Sequence, residues 1–294
     1  MGEVRKLFLH QRTHVIRSAW AMTITCKGRA ASSTPATGDA VEDKAANHGR
    51  VMFQVIALRK ENLVSAVVLR SELGIRGRTN ESQHYSHVLD VGSGLGGPAR
   101  TVAETYGCQV TGVDLTQAFC NTATAMSEWV GLGKRVSFKQ GNATNLPFDS
   151  KTFDAAMTIH VAMNIAAKDK MYMEAHRVVK PGGIFAVYDI LQGEGGEVLY
   201  PVPWARDPSI SHLATPEQMS ALLIGAGFKL RDVQDSTEES QSFFERMTAQ
   251  MAKTGSPPVA WRLFLGDDFS VMARNQVRNV TERRIRTVSF ICVA

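Results

Sequence analysis

The sequence holds four cysteines, Cys26, Cys108, Cys120 and Cys292, with no C-x-x-C pair. That scarcity excludes a disulfide scaffold and a zinc ribbon, and it fits a reducing compartment. No cluster of His, Cys, Asp and Glu has metal-ligand spacing, so no metal is expected. A Gly-x-Ser-x-Gly elbow is absent, as is any other nucleophile motif. Nothing approaches the ~20 consecutive apolar residues that cross a bilayer, which excludes a membrane span. Repeats of solenoid period are missing as well. Charged residues are only 21% of the 294, against 44% hydrophobic, so most of the chain can bury a core. The length suits two average domains or one large α/β domain with additions.

The body of the chain also lacks positive charge. The net charge of +5 sits in residues 1–84, which hold 13 Lys and Arg against 7 Asp and Glu, whereas residues 85–294 hold 20 against 21. No electrostatic footprint for a phosphate backbone remains, and no nucleic-acid partner is expected. Residues 1–38 carry six basic residues and one acid, Glu3, with frequent hydroxyls. That composition suits either an organelle transit segment or a disordered, non-targeting extension. The compartment expected is the cytoplasm, or an organelle matrix if the extension is read as an address.

What is present is an alternation of strands and helices. Residues 51–73 recur at roughly helical spacing, and Gly74, Gly77 and Asn80 mark a loop after them. Strands are expected at Val88–Val91, Gln109–Val113, Val136–Lys139, Phe153–Ile159, Ile184–Ile190, Phe228–Val233 and Thr287–Val293. Helices are expected at Pro98–Tyr106, Gln117–Val130 with Thr116 as its cap, and Lys168–Val179 stopped by Pro181. A further helix starts on Thr215-Pro-Glu-Gln218, which has the form of a capping box. Two more follow at about 237–252 and 267–282. This order implies a mostly parallel sheet with helices on both faces. The division read from it is an extension at 1–38, a helical segment at 39–84, a Rossmann-like core at 85–235, and a helical cover with the final strand at 236–294.

The strongest local signal is Asp90-Val-Gly92-Ser93-Gly94-Leu-Gly96-Gly97-Pro98, between the first strand and the first helix. Glycines there let backbone approach a ligand and turn tightly. Gly92, Gly94 and Gly97 also satisfy G-x-G-x-x-G, so a dinucleotide-dependent oxidoreductase is one reading. Asp90 argues against it, because a carboxylate in the strand end repels a pyrophosphate yet accepts from an ammonium. Asp114, 20 residues beyond Gly94, ends the second strand, where it can accept from both ribose hydroxyls of an adenosine. Its alternative is a helix-dipole role. Gly141-Asn142-Ala143 follows the third strand, where the Asn oxygen can accept from an adenine amino group. Leu146-Pro-Phe-Asp149 and Lys180-Pro-Gly-Gly183 complete the set.

In this order the segments resemble the class I S-adenosylmethionine-dependent methyltransferases. The resemblance covers about 86–235. Leu95-Gly-Gly-Pro-Ala-Arg100, Thr158-Ile-His-Val-Ala-Met-Asn-Ile165 and Tyr200-Pro-Val-Pro-Trp-Ala205 are similar to the small-molecule branch, which includes sarcosine/dimethylglycine, ubiquinone, tocopherol and sterol methyltransferases. The resemblance implies a seven-stranded sheet with the last strand antiparallel, covered by the helices at 237–282. It implies S-adenosylmethionine as cofactor, held by Asp90, Gly92, Ser93, Gly94, Gly96, Asp114, Leu115, Asn142, Ala143 and His160. It also implies a small-molecule methyl acceptor. Many relatives have Asp where Asn142 stands. Residues 41–86 lack the His- and Gly-rich stretch of this branch, which motivates a second reading as a catalytically inactive cofactor-binding protein.

Ligands of open α/β sheets sit beyond the carboxyl ends of the strands. That points to His160, Met163 and Asn164 after the fourth strand and to Tyr188 and Asp189 in the fifth. His160 is the candidate base or positioning group, or else a structural histidine. Asn164 holds an acceptor carboxylate or hydroxyl, or caps the helix starting near Ala166. Asp189 faces a cationic amine or is a loop acid. Trp204 walls the site, offering its ring face to a cation, or packs the loop.

Overall fold

The computed structural model describes residues 87–254 and 265–294. The helix expected at 51–73, its following loop and the extension at 1–38 lie outside the described residues. Seven strands form one sheet in the order β3-β2-β1-β4-β5-β7-β6. They are β1 (His87–Val91), β2 (Gln109–Asp114), β3 (Val136–Gln140), β4 (Phe153–Ile159), β5 (Val179–Gln192), β6 (Lys229–Asp235) and β7 (Ile285–Val293). The strands from β1 to β5 pair in parallel, and β7 runs antiparallel between β5 and β6. The order reverses at β1, which has β2 on one side and β4 on the other. That switch point is where an open α/β sheet leaves a crevice.

The helices follow the local signals. In α1 (Gly97–Tyr106), Pro98 lies in the first turn and Gly107 closes the end at φ 74°, a backbone that favours glycine. Helix α2 spans Gln117–Trp129. Thr116 precedes it, but its buried Oγ1 makes no cap bond, while its own N–H donates to Asp114 Oδ1 at 2.9 Å. The expected Thr116 cap bond is absent. Helix α3 (Lys168–Val178) ends before Lys180-Pro-Gly-Gly183. Val179 has already turned extended and pairs with Phe153, so β5 begins earlier than expected. In α4 (Pro216–Gly225) both capping-box bonds between Thr215 and Gln218 are present. Helices α5 (Thr237–Thr254) and α6 (Phe269–Thr281) follow, with a 3-10 turn at Gly266–Asp268 before α6.

Apolar masses hold these layers, and one of them packs α1 on the sheet through Ala99, Val102, Val88 and Met157. Of the others, the first lies on the sheet and includes Leu89, Phe153, Tyr172, Phe185 and Phe290, all fully buried. Phe185 stacks on Phe228 at 5.0 Å between centroids. Each such ring contributes about 1.5–3 kcal/mol through burial. The second mass joins Met163, Ile190, Trp204, Phe243, Phe244, Met272 and Val280, and binds α5 and α6 to the loop at 198–205. No described helix is long and apolar enough to cross a membrane.

Candidate functional site

The glycine loop is fixed by backbone bonds to its neighbours. The N–H groups of Gly92 and Ser93 both donate to Val113 O, at 2.8 and 2.9 Å, and Gly96 N–H donates to Ser93 O at 2.8 Å. Arg100 reaches back from α1 to donate to Leu95 O at 2.8 Å. Gly92, Gly94 and Gly96 all have left-handed φ values of 76°, 52° and 73°. Two of them have no room for a side chain either. A Cβ on Gly92 would strike Val161, and one on Gly96 would strike the Phe138 ring. The loop is thus a bare backbone cradle at the reversal point.

Asp114 closes the cradle. Its Oδ2 accepts from Gly94 N–H and its Oδ1 from Thr116 N–H, both at 2.9 Å. One accepted bond on each oxygen leaves further lone pairs for a ligand. Asp114 lines a cleft of about 280 Å³ with Gly92, Val113 and Leu115. Gly141, Asn142, Ala143 and Thr144 form the β3 side, and Val161 with Asn164 to Ala167 form the β4 side. Leu115 is 45% exposed, an apolar side chain left beside the cleft.

Asn142 lines the cleft, but its oxygen is not open to an adenine amine. Oδ1 accepts from both Thr144 N–H and Thr144 Oγ1, each at 2.9 Å. The Thr144 amide fixes the side-chain orientation, so Asn142 turns its NH₂, a donor, toward any ligand. The local Asx turn explains the difference from the sequence expectation.

Asp90 is 1% exposed at the end of β1. Neither carboxylate oxygen has a hydrogen-bond partner, and neither does Ser93 Oγ beside it. Burial raises the Asp90 pKa to about 7, helped by the Asp114 charge. The Ala99 amide opposes that slightly, without reaching normal hydrogen-bond geometry. An orphaned buried carboxyl beside a glycine cradle fits a ligand carrying an ammonium group.

On the β4 side the predicted residues are brought together, but most turn inward. His160 is 2% exposed at φ 54°, with its ring 4.8 Å from that of Tyr188. Burial lowers its pKa to about 3, so the imidazole is neutral near pH 7 and a weak base. Tyr188 is buried in β5, and its hydroxyl accepts from Ser236 Oγ at 3.4 Å. Met163 is buried in the second apolar mass.

Asp189 is fully buried and faces no amine ligand. Its oxygens accept from Ala162 N–H and Ile190 N–H, both at 2.8 Å. Burial raises its pKa to about 6, while those amides and Lys168 pull it down. Trp204 is also fully buried; its indole N–H donates to Ser211 Oγ at 3.0 Å, so it packs the loop and does not wall the cleft. Asn164 caps no helix, since α3 starts after Ala167. Its Nδ2 donates to Trp204 O and Ile210 O, both at 2.9 Å. Both amide hydrogens are therefore used, and the orphaned Oδ1 can only accept. Asn164 suits a ligand hydroxyl or amine and rejects a carboxylate.

Sequence reasoning missed Lys168. It is buried at the first turn of α3, where its ammonium donates to Ile165 O at 2.7 Å and to His212 O. Burial lowers its pKa, against the pull of Asp189. The available signal was a lysine at a helix N-terminus, where the dipole disfavours a cation.

Comparison with known proteins decides what this cradle belongs to. Residues 89–187 match a family model described as a methyltransferase domain. Over those residues the chain is similar to a methyltransferase domain. A sterol 24-C-methyltransferase of Gibberella zeae is 39% identical over 104 residues, covering 35% of this chain and 27% of that protein. The Eremothecium gossypii sterol 24-C-methyltransferase is 38% identical over 140 residues, covering 41% and 38%. The chain thus spans about a third of the length of these curated relatives. Among solved structures, phosphoethanolamine N-methyltransferase 2 of Haemonchus contortus shares the fold. Its TM-score is 0.65 at 19% identity, covering 84% of this chain and 57% of that one. The methyltransferase reading of the loop, rather than the oxidoreductase one, is the reading these matches support.

Proposed function

We propose that this protein transfers a methyl group from S-adenosylmethionine to a small-molecule acceptor of the amine, quinol, phenol or sterol type. One observation carries the reading: Asp114, at the end of β2, is tied to the glycine loop and still lines the cleft with spare lone pairs. The residues fit the cofactor. Asp114 would take the ribose hydroxyls, Leu115 and the 141–144 turn would flank the adenine, and the orphaned Asp90 carboxyl, which lies behind the lining two residues before Gly92, would be on the ammonium side. When bound, the cofactor supplies a methyl group on a positively charged sulfur, already activated for transfer.

The chain's own work is alignment and exclusion of water. The Asp189 clamp on Ala162 and the Lys168 strut hold the 161–168 segment as one wall of the cleft. Asn164 Oδ1 offers an acceptor to a hydroxyl or amine at that wall. His160 acts by shape and neutral polarity. The division of labour follows the sequence: residues 85–235 bind the cofactor and 236–294 cover the acceptor. The cytoplasm, or an organelle matrix, is the compartment we assign.

A cofactor-binding protein without turnover is the second reading, favoured by the burial of His160, Asp189 and Trp204. A methyl-transfer screen with labelled cofactor against small amines, quinols, phenols and sterols separates the two. Labelled product supports the enzyme. Binding of the cofactor with no product from any class supports the second reading.

A further inference from the structure

Helix α6 carries three amide side chains within two turns: Asn275, Gln276 and Asn279. Two of them fasten the helix to the loop at 198–205. Asn279 accepts from Leu199 N–H at 2.9 Å and donates to Leu199 O at 3.0 Å, as a neighbouring strand would. Asn275 donates to Pro201 O at 3.0 Å. Gln276 is different. It is 0% exposed, and both Nε2 and Oε1 are without a hydrogen-bond partner.

The position of Gln276 makes that unusual. Met272 and Val280 lie one turn to either side on the same face of α6, and both belong to the second apolar mass. Gln276 is therefore buried on the face of α6 that packs into this apolar mass. Met163 connects this mass to the cleft, because Asn164, the next residue in the same 3-10 turn, lines it. A buried amide with neither end paired is costly, and most native structures avoid it. A leucine or methionine would pack here without that cost. The helix satisfies its other two amides, buried Asn279 and half-buried Asn275, so poor local geometry does not account for this one.

We propose that Gln276 is the specificity residue for a hydroxyl group on an otherwise apolar methyl acceptor. The acceptor would lie between the cleft and α6. A hydroxyl both donates and accepts, so it can answer Oε1 and Nε2 together, whereas a carbonyl answers only Nε2. The surrounding side chains take the hydrocarbon part. This inference rests on the methyl-transfer reading for the role of the bound molecule, but not for the recognition itself.

The test uses 4-butylphenol and butylbenzene, which differ by the hydroxyl alone, titrated calorimetrically into the full chain with and without S-adenosylhomocysteine. Wild type is expected to bind the phenol at least tenfold more tightly than the hydrocarbon. Gln276→Met is expected to reduce that preference below threefold, to bind S-adenosylhomocysteine as wild type does, and to melt a few degrees higher without ligand. The higher melting temperature matters because a merely structural glutamine would give the opposite sign. Equal binding of the two probes by wild type, no binding of the phenol, a preference retained in Gln276→Met, or a lower melting temperature of that variant would each overturn the proposal. Failure of S-adenosylhomocysteine to bind wild type, with the phenol preference intact, would instead overturn the methyl-transfer reading.

Discussion

Two buried groups set the pH behaviour of the site at the level of single residues. Asp90 loses its proton near pH 4 when unfolded and near 7 when folded. Between those values the folded state binds the extra proton, so stability falls as pH rises through that window, by up to roughly 4 kcal/mol. Asp189, raised to about 6, adds a smaller slope of the same sign. Asp90→Asn is therefore expected to melt well above wild type at pH 8 and close to it at pH 4. Thermal melts at the two pH values check this, and an equal difference at both would contradict it. His160 makes a different demand. Its φ of 54° is a conformation that asparagine tolerates and alanine resists, by about 1–2 kcal/mol. His160→Asn should accordingly be more stable than His160→Ala. Any inflection near 6.5 in the pH–rate profile of wild type should persist in His160→Asn, because the folded histidine value is about 3. An inflection there that disappears in His160→Asn would restore the general-base role.

Among the elements, the sequence was most legible where a signal is local. Three left-handed glycines, a proline in a first turn and a Thr-Pro-Glu-Gln start each fix their own surroundings, and each occurs as read. Thr215→Ala should cost about 1 kcal/mol, the usual worth of an N-cap. It should lower the melting temperature and leave cofactor affinity unchanged, since α4 lines no part of the cleft. Chemical denaturation with a parallel binding titration measures both. The elements read less well depend on distant partners. Thr116 stands at the expected N-cap, but its hydroxyl makes no cap bond. Strand β6 lies at the sheet edge, almost wholly exposed, and its register against β7 shifts between Leu230 and Asp232, so no alternation of apolar residues marks its bounds.

For the molecule as a whole, the contacts of the glycine loop with Asp114 were legible and those of the wall after β4 were not. The loop and Asp114 lie within 25 residues and occupy adjacent strands, so spacing alone brings them together. Asn164 meets Trp204 and Ile210 across 40 and 46 residues, and Asn279 meets Leu199 across 80. No local pattern announces such contacts, and they decide that Trp204 is buried and that Asn164 can only accept. Asp114 is the residue on which the assignment of this cleft depends. Calorimetric titration of wild type and Asp114→Ala with S-adenosylhomocysteine, and of wild type with NADH, tests it most directly. Wild type should bind S-adenosylhomocysteine and not NADH, and Asp114→Ala should bind it more weakly by about 1.5–3 kcal/mol. Equal affinity in the variant, or binding of NADH alone, would contradict the assignment of this cleft.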